Sequence, residues 1–186
     1  MKIPMTWRKK ALIIVDVTES FINDRNRYII PNINKLINNV DYDLFISFLP
    51  YNEESSLRTE QGWWFDLIGE IDKLDSSIEE NLKGKNHIQS KKITKSSFKW
   101  DLNLEKTLRD KNIKEVHIVW FESNDCVMAT VFEAFDLWFY SFIIEEACET
   151  WKTELNHKNA MLILNYINLT NNSKFVGYEK TDFKEI

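Results

Sequence analysis

Continuous apolar runs and amphipathic segments alternate along this chain. The run ALIIVDV (11–17) is apolar and rich in β-branched side chains, which is typical of a strand buried on both faces of a parallel sheet. The segment PNINKLINNV (31–40) predicts a helix with Pro31 in its first turn, and YDLFISFL (42–49) predicts a second strand stopped by Pro50. This order favours a parallel sheet with right-handed crossovers.

The alternation continues to the end of the chain. Four further apolar segments predict strands, at HIQSKK (87–92), VHIVWF (116–121), SFIIEEA (141–147) and KFVGYE (174–179). Helical spacing predicts helices over 102–113, 123–140 and 154–168, and one helix with an irregular excursion lies between 52 and 81. The first of these helices is expected to end near Asn112 in a left-handed cap. The pattern therefore predicts a single α/β domain, residues 1–186, with a six-stranded parallel sheet.

The helix predicted over 123–140 carries the clearest local signals. Ser123 or Asn124 suits its N-cap, and Asp125 suits its first turn. Apolar residues recur at helical spacing, at Val127, Val131, Ala134, Phe135 and Trp138. This spacing is typical of an amphipathic helix.

Composition narrows the range of functions. The 186 residues include 24 Lys and Arg against 29 Asp and Glu, a net charge of -5 that disfavours a nucleic-acid partner. The four glycines fit neither the dinucleotide-binding fingerprint nor the Walker pattern; they are Gly62, Gly69, Gly84 and Gly177. Nucleotide binding through a glycine-rich loop is thereby excluded.

The cysteine and histidine positions and the hydropathy pattern bear on disulfides, zinc binding and cellular location. Two cysteines, Cys126 and Cys148, are too few for a disulfide scaffold, and the scattered His87, His117 and His157 disfavour structural zinc. The first residues lack the small-residue cleavage site of a signal peptide, and no 18-residue apolar stretch occurs. We expect a cytoplasmic protein with no membrane partner.

Three reactive side chains fall at the carboxyl ends of predicted strands. Asp16 ends the first strand, Lys92 ends the third, and Cys126 follows the fourth near a helix N-terminus that favours the thiolate. Ligands bind at this edge of a parallel sheet, so a nucleophilic thiol and a general base are expected together. Plainer interpretations are a core cysteine, a turn-capping carboxylate and a lysine on a solvated face or an anion-binding rim.

Four segments occur in the order and spacing of a known family. They are ALIIVDVTESF, KITKSSF, FESNDCVMATVFEAF and HKNAMLIL. They resemble the opening ALLVIDMQNDF strand, the K-x-x-Y-S-A-F segment, the T-x-x-C-V-x-x-T-A-x-D-A nucleophile segment and the H-x-x-A-L-x-x-L helix of the isochorismatase-like cysteine hydrolases. Lys92 falls at the family lysine, and Phe98 at the phenylalanine.

The resemblance implies a fold and a mechanism. The fold is a three-layer Rossmann-like sandwich with strand order 3-2-1-4-5-6 and helices on both faces. The triad would be Asp16 as proton acceptor, Lys92 as electrostatic support and Cys126 as nucleophile on a small amide or related carbon–nitrogen bond. Backbone N–H groups of Cys126 and Glu122 would form the oxyanion hole, after a cis Phe121–Glu122 peptide. We also expect a small-molecule substrate and a homodimer or higher homo-oligomer.

Some positions depart from the family pattern. Trp120 stands where the family has glycine, so its indole must alter packing or narrow the site, and Glu122 brings a carboxylate near the oxyanion position. The segment after the second predicted strand, SFLPYNEESS, has no histidine, which disfavours the metal-binding nicotinamidase branch; we expect no metal and no cofactor. Arg58 and Trp63 are candidate substrate-binding residues, or else a solvated arginine and a packed ring.

Two alternatives remain open at the level of sequence. One is hydrolysis of an isochorismate-like enol ether, with Asp16 as general acid and the cysteine dispensable. The other is a catalytically silent small-molecule binder whose pocket Trp120 and Glu122 have remodelled.

Overall fold

The computed structural model describes residues 8–61, 68–70, 72–99, 101–151, 153–174 and 176. Its strands are β1 (Lys10–Val15), β2 (Leu44–Asn52), β3 (Gly69–Glu70), β4 (His87–Lys92), β5 (Glu115–Phe121) and β6 (Tyr140–Glu149). Its helices are α1 (Ile30–Asn39), α2 (Leu57–Glu60), α3 (Ser76–Leu82), α4 (Leu104–Asp110), α5 (Cys126–Asp136) and α6 (Glu154–Tyr166), with short 3-10 turns at 19–21 and 27–29.

Five parallel strands form the sheet, in the order β4-β2-β1-β5-β6. This confirms the predicted α/β architecture and the order of the first five predicted strands. The sixth parallel strand, predicted over 174–179, lies mostly outside the described residues; a single parallel bridge joins Thr170 to Ile143 of β6. The sixth strand of the described sheet is instead β3, which pairs antiparallel with the end of β2.

Helices cover both faces of the sheet. β1 is apolar on both sides, and its residues Ala11–Val15 are fully buried. α1 packs against α3, whereas α5 packs against β5 and β6. Because the β1-α1-β2 and β5-α5-β6 crossovers run in opposite directions from the centre, the right-handed rule places α1 and α5 on opposite faces. Strands are added on one side of β1 as far as β4 and on its other side from β5 onward. The carboxyl ends of β1 and β5 therefore form the switch point.

The prediction that Pro50 stops the second strand is wrong. β2 continues to Asn52, with Pro50 opposite Lys92 of β4. Asp16 N–H donates to Phe48 C=O at 2.9 Å. Every second residue of β2, including Phe48 and Pro50, therefore has its backbone N–H position on the side of β1. β1 has ended beside Pro50. The missing proline N–H therefore costs no ladder hydrogen bond.

The boundaries of α5 also differ from the prediction. The helix begins at Cys126, and its N-cap is Asp125 rather than Ser123 or Asn124. The helix ends at Asp136, so Trp138 lies beyond it and is 91% exposed. Phe135, in the last turn, is 57% exposed, whereas Val127, Val131 and Ala134 are fully buried.

A buried polar network sits among the amino-terminal residues of β1 and β5. His117 Nε2 lies 2.7 Å from Glu115 Oε1, and Arg8 Nε lies 3.0 Å from Glu115 Oε2. Tyr42 Oη lies 2.7 Å from His117 Nδ1. Burial holds the pKa of His117 below its ordinary value of 6.5, although Glu115 opposes the shift. Since Arg8 already offsets the charge of Glu115, the imidazole need not be cationic.

This histidine makes stability fall in mild acid. Below pH 6.5 the unfolded chain takes up a proton at His117 that the folded chain resists, so the free energy of unfolding decreases as pH falls and is fully retained above that pH. The slope approaches about 1.4 kcal/mol per pH unit for this group. We expect His117→Gln to flatten the dependence in urea unfolding between about pH 5 and 7.

His87, whose pKa burial also lowers, contributes in the same direction, so some slope should survive in the variant. Parallel curves for wild type and His117→Gln would show that the histidine plays no part.

No described helix combines the length and hydrophobicity needed to cross a bilayer.

Candidate active site

A buried ion pair occupies the carboxyl edge of the sheet beside the switch point. Asp16 follows β1 and Lys92 ends β4, and Lys92 Nζ lies 2.6 Å from Asp16 Oδ2. The side chain of Asp16 is 3% exposed and that of Lys92 is 0% exposed. Lys92 also donates to the Thr94 carbonyl at 3.3 Å. Removing two charges from water is costly, and the short contact together with the second acceptor offsets that cost.

The second oxygen of Asp16 is available for chemistry. Asp16 Oδ1 is buried and accepts no hydrogen bond from any described residue. The backbone holds the residue firmly: its N–H donates to Phe48 C=O at 2.9 Å, and its C=O accepts from Thr18 N–H at 3.0 Å. Asp16 has φ 60°, a left-handed conformation that aspartate tolerates better than most residues. The strand end thus presents one paired and one unpaired carboxylate oxygen.

The segment that follows Lys92 is tied along α5 by three polar contacts. Lys95 forms an ion pair with Asp125, Ser97 N–H donates to Thr130 Oγ1 at 3.1 Å, and Lys99 Nζ lies 2.5 Å from Glu133. Lys95 is 42% exposed, so it is a surface charge that is paired with Asp125. The Asp125 carboxylate engages Lys95 instead of capping its own helix, where it makes no side-chain cap bond.

Cys126 is the first residue of α5 and is 7% exposed. Its carbonyl accepts from Thr130 Oγ1 at 2.7 Å, and Thr130 also contacts Ser97, so the same threonine connects the first turn of α5 to the lysine segment. A helix N-terminus offers N–H groups and a positive dipole end to a thiolate. β5, which leads into α5, pairs with β1 up to Val15, one residue before Asp16. The topology thus places Cys126 at the edge that carries the ion pair.

The turn between β5 and α5 has the predicted backbone. The Phe121–Glu122 peptide is cis, as expected. The Glu122 carbonyl accepts from Asp125 N–H at 3.0 Å and from Val127 N–H at 3.2 Å, whereas Glu122 N–H donates to no described residue. The Glu122 carboxylate accepts from Trp151 N–H at 2.9 Å. This bond directs the side chain toward the segment after β6.

Trp120 is accommodated in the core rather than in a pocket. Its φ is 93°, in the region that favours glycine, and its side chain is fully buried. Trp120 Nε1 has no hydrogen-bond partner among the described residues. The pairing of β5 with β6 shifts register between Ile118 and Trp120. The effect of the indole on the site stays a prediction.

Two contacts near Cys126 were not anticipated from sequence. Ser123 Oγ lies 3.0 Å from His157 Nδ1, which links the turn before Cys126 to α6. Phe21, Phe121 and Trp151 pack together at the same edge, with ring centroids 5.6 to 6.1 Å apart. The H-x-x-A-L-x-x-L resemblance marked His157, but nothing in the sequence pairs it with Ser123.

The side chains of both predicted substrate-binding residues lie outside the described part of the structure. Arg58 lies in α2, but its side chain is not described, and Trp63 lies outside the described residues. Their roles stay predictions. Among the described residues no three His, Cys, Asp or Glu side chains converge as a metal site. The metal-free site likewise stays a prediction, which elemental analysis of the purified protein tests.

Comparison with known proteins adds an independent line of evidence. The family model described as Isochorismatase domain matches residues 10–171. An isochorismatase-like hydrolase from Alkaliphilus metalliredigens superposes with a TM-score of 0.73, at 16% identity, over 87% of this chain and 93% of that chain. N-carbamoylsarcosine amidase from Thermoplasma acidophilum gives 0.71, at 18% identity, over 89% and 97%.

Nicotinamidase from Bacillus subtilis gives a TM-score of 0.68, at 22% identity, over 84% of this chain and 94% of that chain. A comparison with curated protein sequences finds no match. At these identities the three structures share the fold with this chain.

Proposed function

We propose that this chain, which belongs to the isochorismatase domain family, hydrolyses a small amide or related carbon–nitrogen bond through Cys126. The observation that carries the proposal is the buried Asp16–Lys92 pair, whose second carboxylate oxygen is unpartnered. It lies at the edge of the sheet where α5 begins with a cysteine. An acceptor for the thiol proton and a nucleophile are thus supplied by neighbouring strand ends.

The chemistry follows from these positions. Asp16 takes the Cys126 proton as Sγ attacks the substrate carbonyl, and a carbon–sulfur bond forms. The carbon–nitrogen bond then breaks, and Asp16 returns the proton to the leaving amine. A water, deprotonated by Asp16, then attacks the thioester carbonyl and the carbon–sulfur bond breaks. The carboxylic acid leaves, and Asp16 returns the proton to Cys126 Sγ. Lys92 pairs with the Asp16 carboxylate and holds it in position at the start of each half-reaction.

Backbone donors supply the oxyanion hole. The Glu122 N–H makes no bond to a described residue, and the Cys126 N–H belongs to the first turn of α5. These two donors are our proposed stabilisers of the tetrahedral intermediate, and each such donor is worth about 10²–10³ in rate. The Glu122 carboxylate does not oppose them, because it is held by Trp151 N–H. The proposed enzyme is cytoplasmic and works without metal or cofactor.

The names of the neighbours supply the first substrates to try. Nicotinamide and N-carbamoylsarcosine, with simple primary amides, form the test panel. We expect ammonia release from at least one of them and, in intact-protein mass spectrometry, an acyl adduct on Cys126. Iodoacetamide should label Cys126 faster than Cys148, because burial raises the pKa of the Cys148 thiol well above its ordinary range.

The alternatives make different predictions in the same experiment. Ammonia release without any adduct, retained in Cys126→Ala, contradicts covalent catalysis. Turnover of an isochorismate-like enol ether that Cys126→Ala retains, with no turnover of any amide, supports enol-ether hydrolysis with Asp16 as acid. Equal labelling of both cysteines with no turnover on any amide supports the silent binder.

A further inference from the structure

A cavity lies at the opposite edge of the sheet from Cys126. It has a volume of about 580 Å³ and is formed by the end of α5, the start of β6 and the residues after α6. Phe139, Phe142 and Leu169 are buried and form its floor. The proposed chemistry uses none of these residues, so the cavity needs its own explanation.

Trp138, at the rim of this cavity, has an unusual backbone conformation. Three helices of this chain end in a left-handed residue: Asn112 after α4 (φ 57°), Asn168 after α6 (φ 63°) and Trp138 after α5 (φ 65°). Each end closes with the same pair of bonds; at α5, Trp138 N–H donates to Phe135 C=O at 2.9 Å and Phe139 N–H to Ala134 C=O at 3.0 Å. Glycine and asparagine suit this position, and a tryptophan there is strained.

The Trp138 side chain does little to offset that strain. The Trp138 side chain is 91% exposed, so its ring gains almost nothing from burial. A strained backbone carrying a fully presented indole is expected where the ring binds something outside the chain.

The surroundings of Trp138 are apolar as well. Of the twelve large apolar side chains exposed in the described part of the chain, six lie at the end of α5, at the start of β6 or in and just after the last turn of α6. Phe135, Tyr140 and Tyr166 are 57%, 48% and 87% exposed. Monomeric proteins rarely expose such a concentration of rings.

We propose that this aromatic patch, defined by Phe135, Trp138, Tyr140 and Tyr166, is the interface of a homodimer in which each Trp138 enters the cavity of the other copy. A protruding ring beside a cavity is the self-complementary arrangement that a two-fold interface requires, because the axis pairs each protrusion with the other copy's cavity. The aromatic patch exposes on the order of 400–700 Å² per copy, against about 800 Å² per partner in a stable interface. Ile163 and Ile167, 52% and 39% exposed, extend it.

The interface leaves the proposed active site open. The cavity lies at the amino-terminal edge of β6, whereas Asp16, Lys92 and Cys126 belong to the carboxyl edge. Dimerisation and amide hydrolysis are therefore separable, and the interface does not depend on the proposed function.

Sedimentation equilibrium of the purified full chain tests the proposal. Wild type should be dimeric at micromolar concentration, and Trp138→Asn should raise the dimer dissociation constant by at least about 30-fold. Because asparagine already occupies the same position after α4 and α6, the melting temperature at high dilution should be unchanged or higher. The matched control is Leu57→Asn, which removes a side chain that is 70% exposed on α2, and it should leave the dimer intact.

A second variant keeps the test decisive if Trp138→Asn fails to fold. Tyr166→Ser alters an exposed side chain at the end of α6, outside the left-handed position, and should weaken the dimer as well. A monomeric wild type overturns the proposal, including one whose cavity takes up a small aromatic compound. A dimer that neither Trp138→Asn nor Tyr166→Ser weakens overturns it too.

Discussion

Replacing Cys126 by alanine should abolish amide hydrolysis, by about 10⁴-fold or more, while the protein remains folded. The loss is large because the variant lacks the sulfur that forms the covalent bond to carbon, and residues that act as a unit fail together. The stability cost should be modest, about 1 kcal/mol, since the change removes one sulfur atom from a side chain that is already small. Ammonia release and urea unfolding measure the two effects.

Cys148 provides the matched control. It is buried in β6, 3.7 Å from Ile118 C=O, and burial raises the pKa of its thiol. Cys148→Ala should cost comparable stability and keep most of the rate. Loss of activity in both variants at equal stability would point to packing rather than to nucleophilic chemistry. Retention of most of the rate in Cys126→Ala would remove the covalent mechanism.

The strands and the ion pair were the predictable part of this molecule. Continuous apolar runs marked β1 and β5, and β4 is found at its predicted bounds, His87–Lys92. Parallel topology brings strand ends to one edge, so Asp16 and Lys92 could be placed together from sequence alone. The left-handed cap at Asn112 was predictable for a local reason, since asparagine after a helical pattern favours that conformation.

The errors arise where a residue's neighbour in space decides the outcome. Pro50 continues β2 only because β1 has ended beside it, and a single strand's sequence does not contain that fact. Helical spacing continues past Asp136 in the sequence, although the chain leaves the helix there and exposes Trp138. The Lys95–Asp125 pair was not predicted at all, because it joins residues 30 positions apart, beyond the reach of any local pattern.

The buried Asp16–Lys92 pair should be the most sensitive point for stability. Lys92→Met leaves Asp16 buried without its cation, and Asp16→Asn leaves Lys92 buried without its anion; breaking a buried pair in this way costs about 3–5 kcal/mol. Asparagine is the right replacement because position 16 has φ 60°, which asparagine accepts as readily as aspartate. Both variants should also lose amide hydrolysis, since each removes the proton acceptor or the charge that orients it.

The double variant Asp16→Asn/Lys92→Met separates folding from chemistry. It carries neither charge, so its free energy of unfolding should lie near or above that of the less damaged single variant. The coupling between the two sites is then at least the cost of the other single variant, about 3–5 kcal/mol. Activity should not return, because the proton acceptor is still missing, and no acyl adduct should form on Cys126. Urea unfolding of all four proteins, with mass spectrometry of the adduct, makes the measurement. Additive destabilisation would mean that the two charges do not depend on each other, whereas an active double variant would show that neither is needed for catalysis.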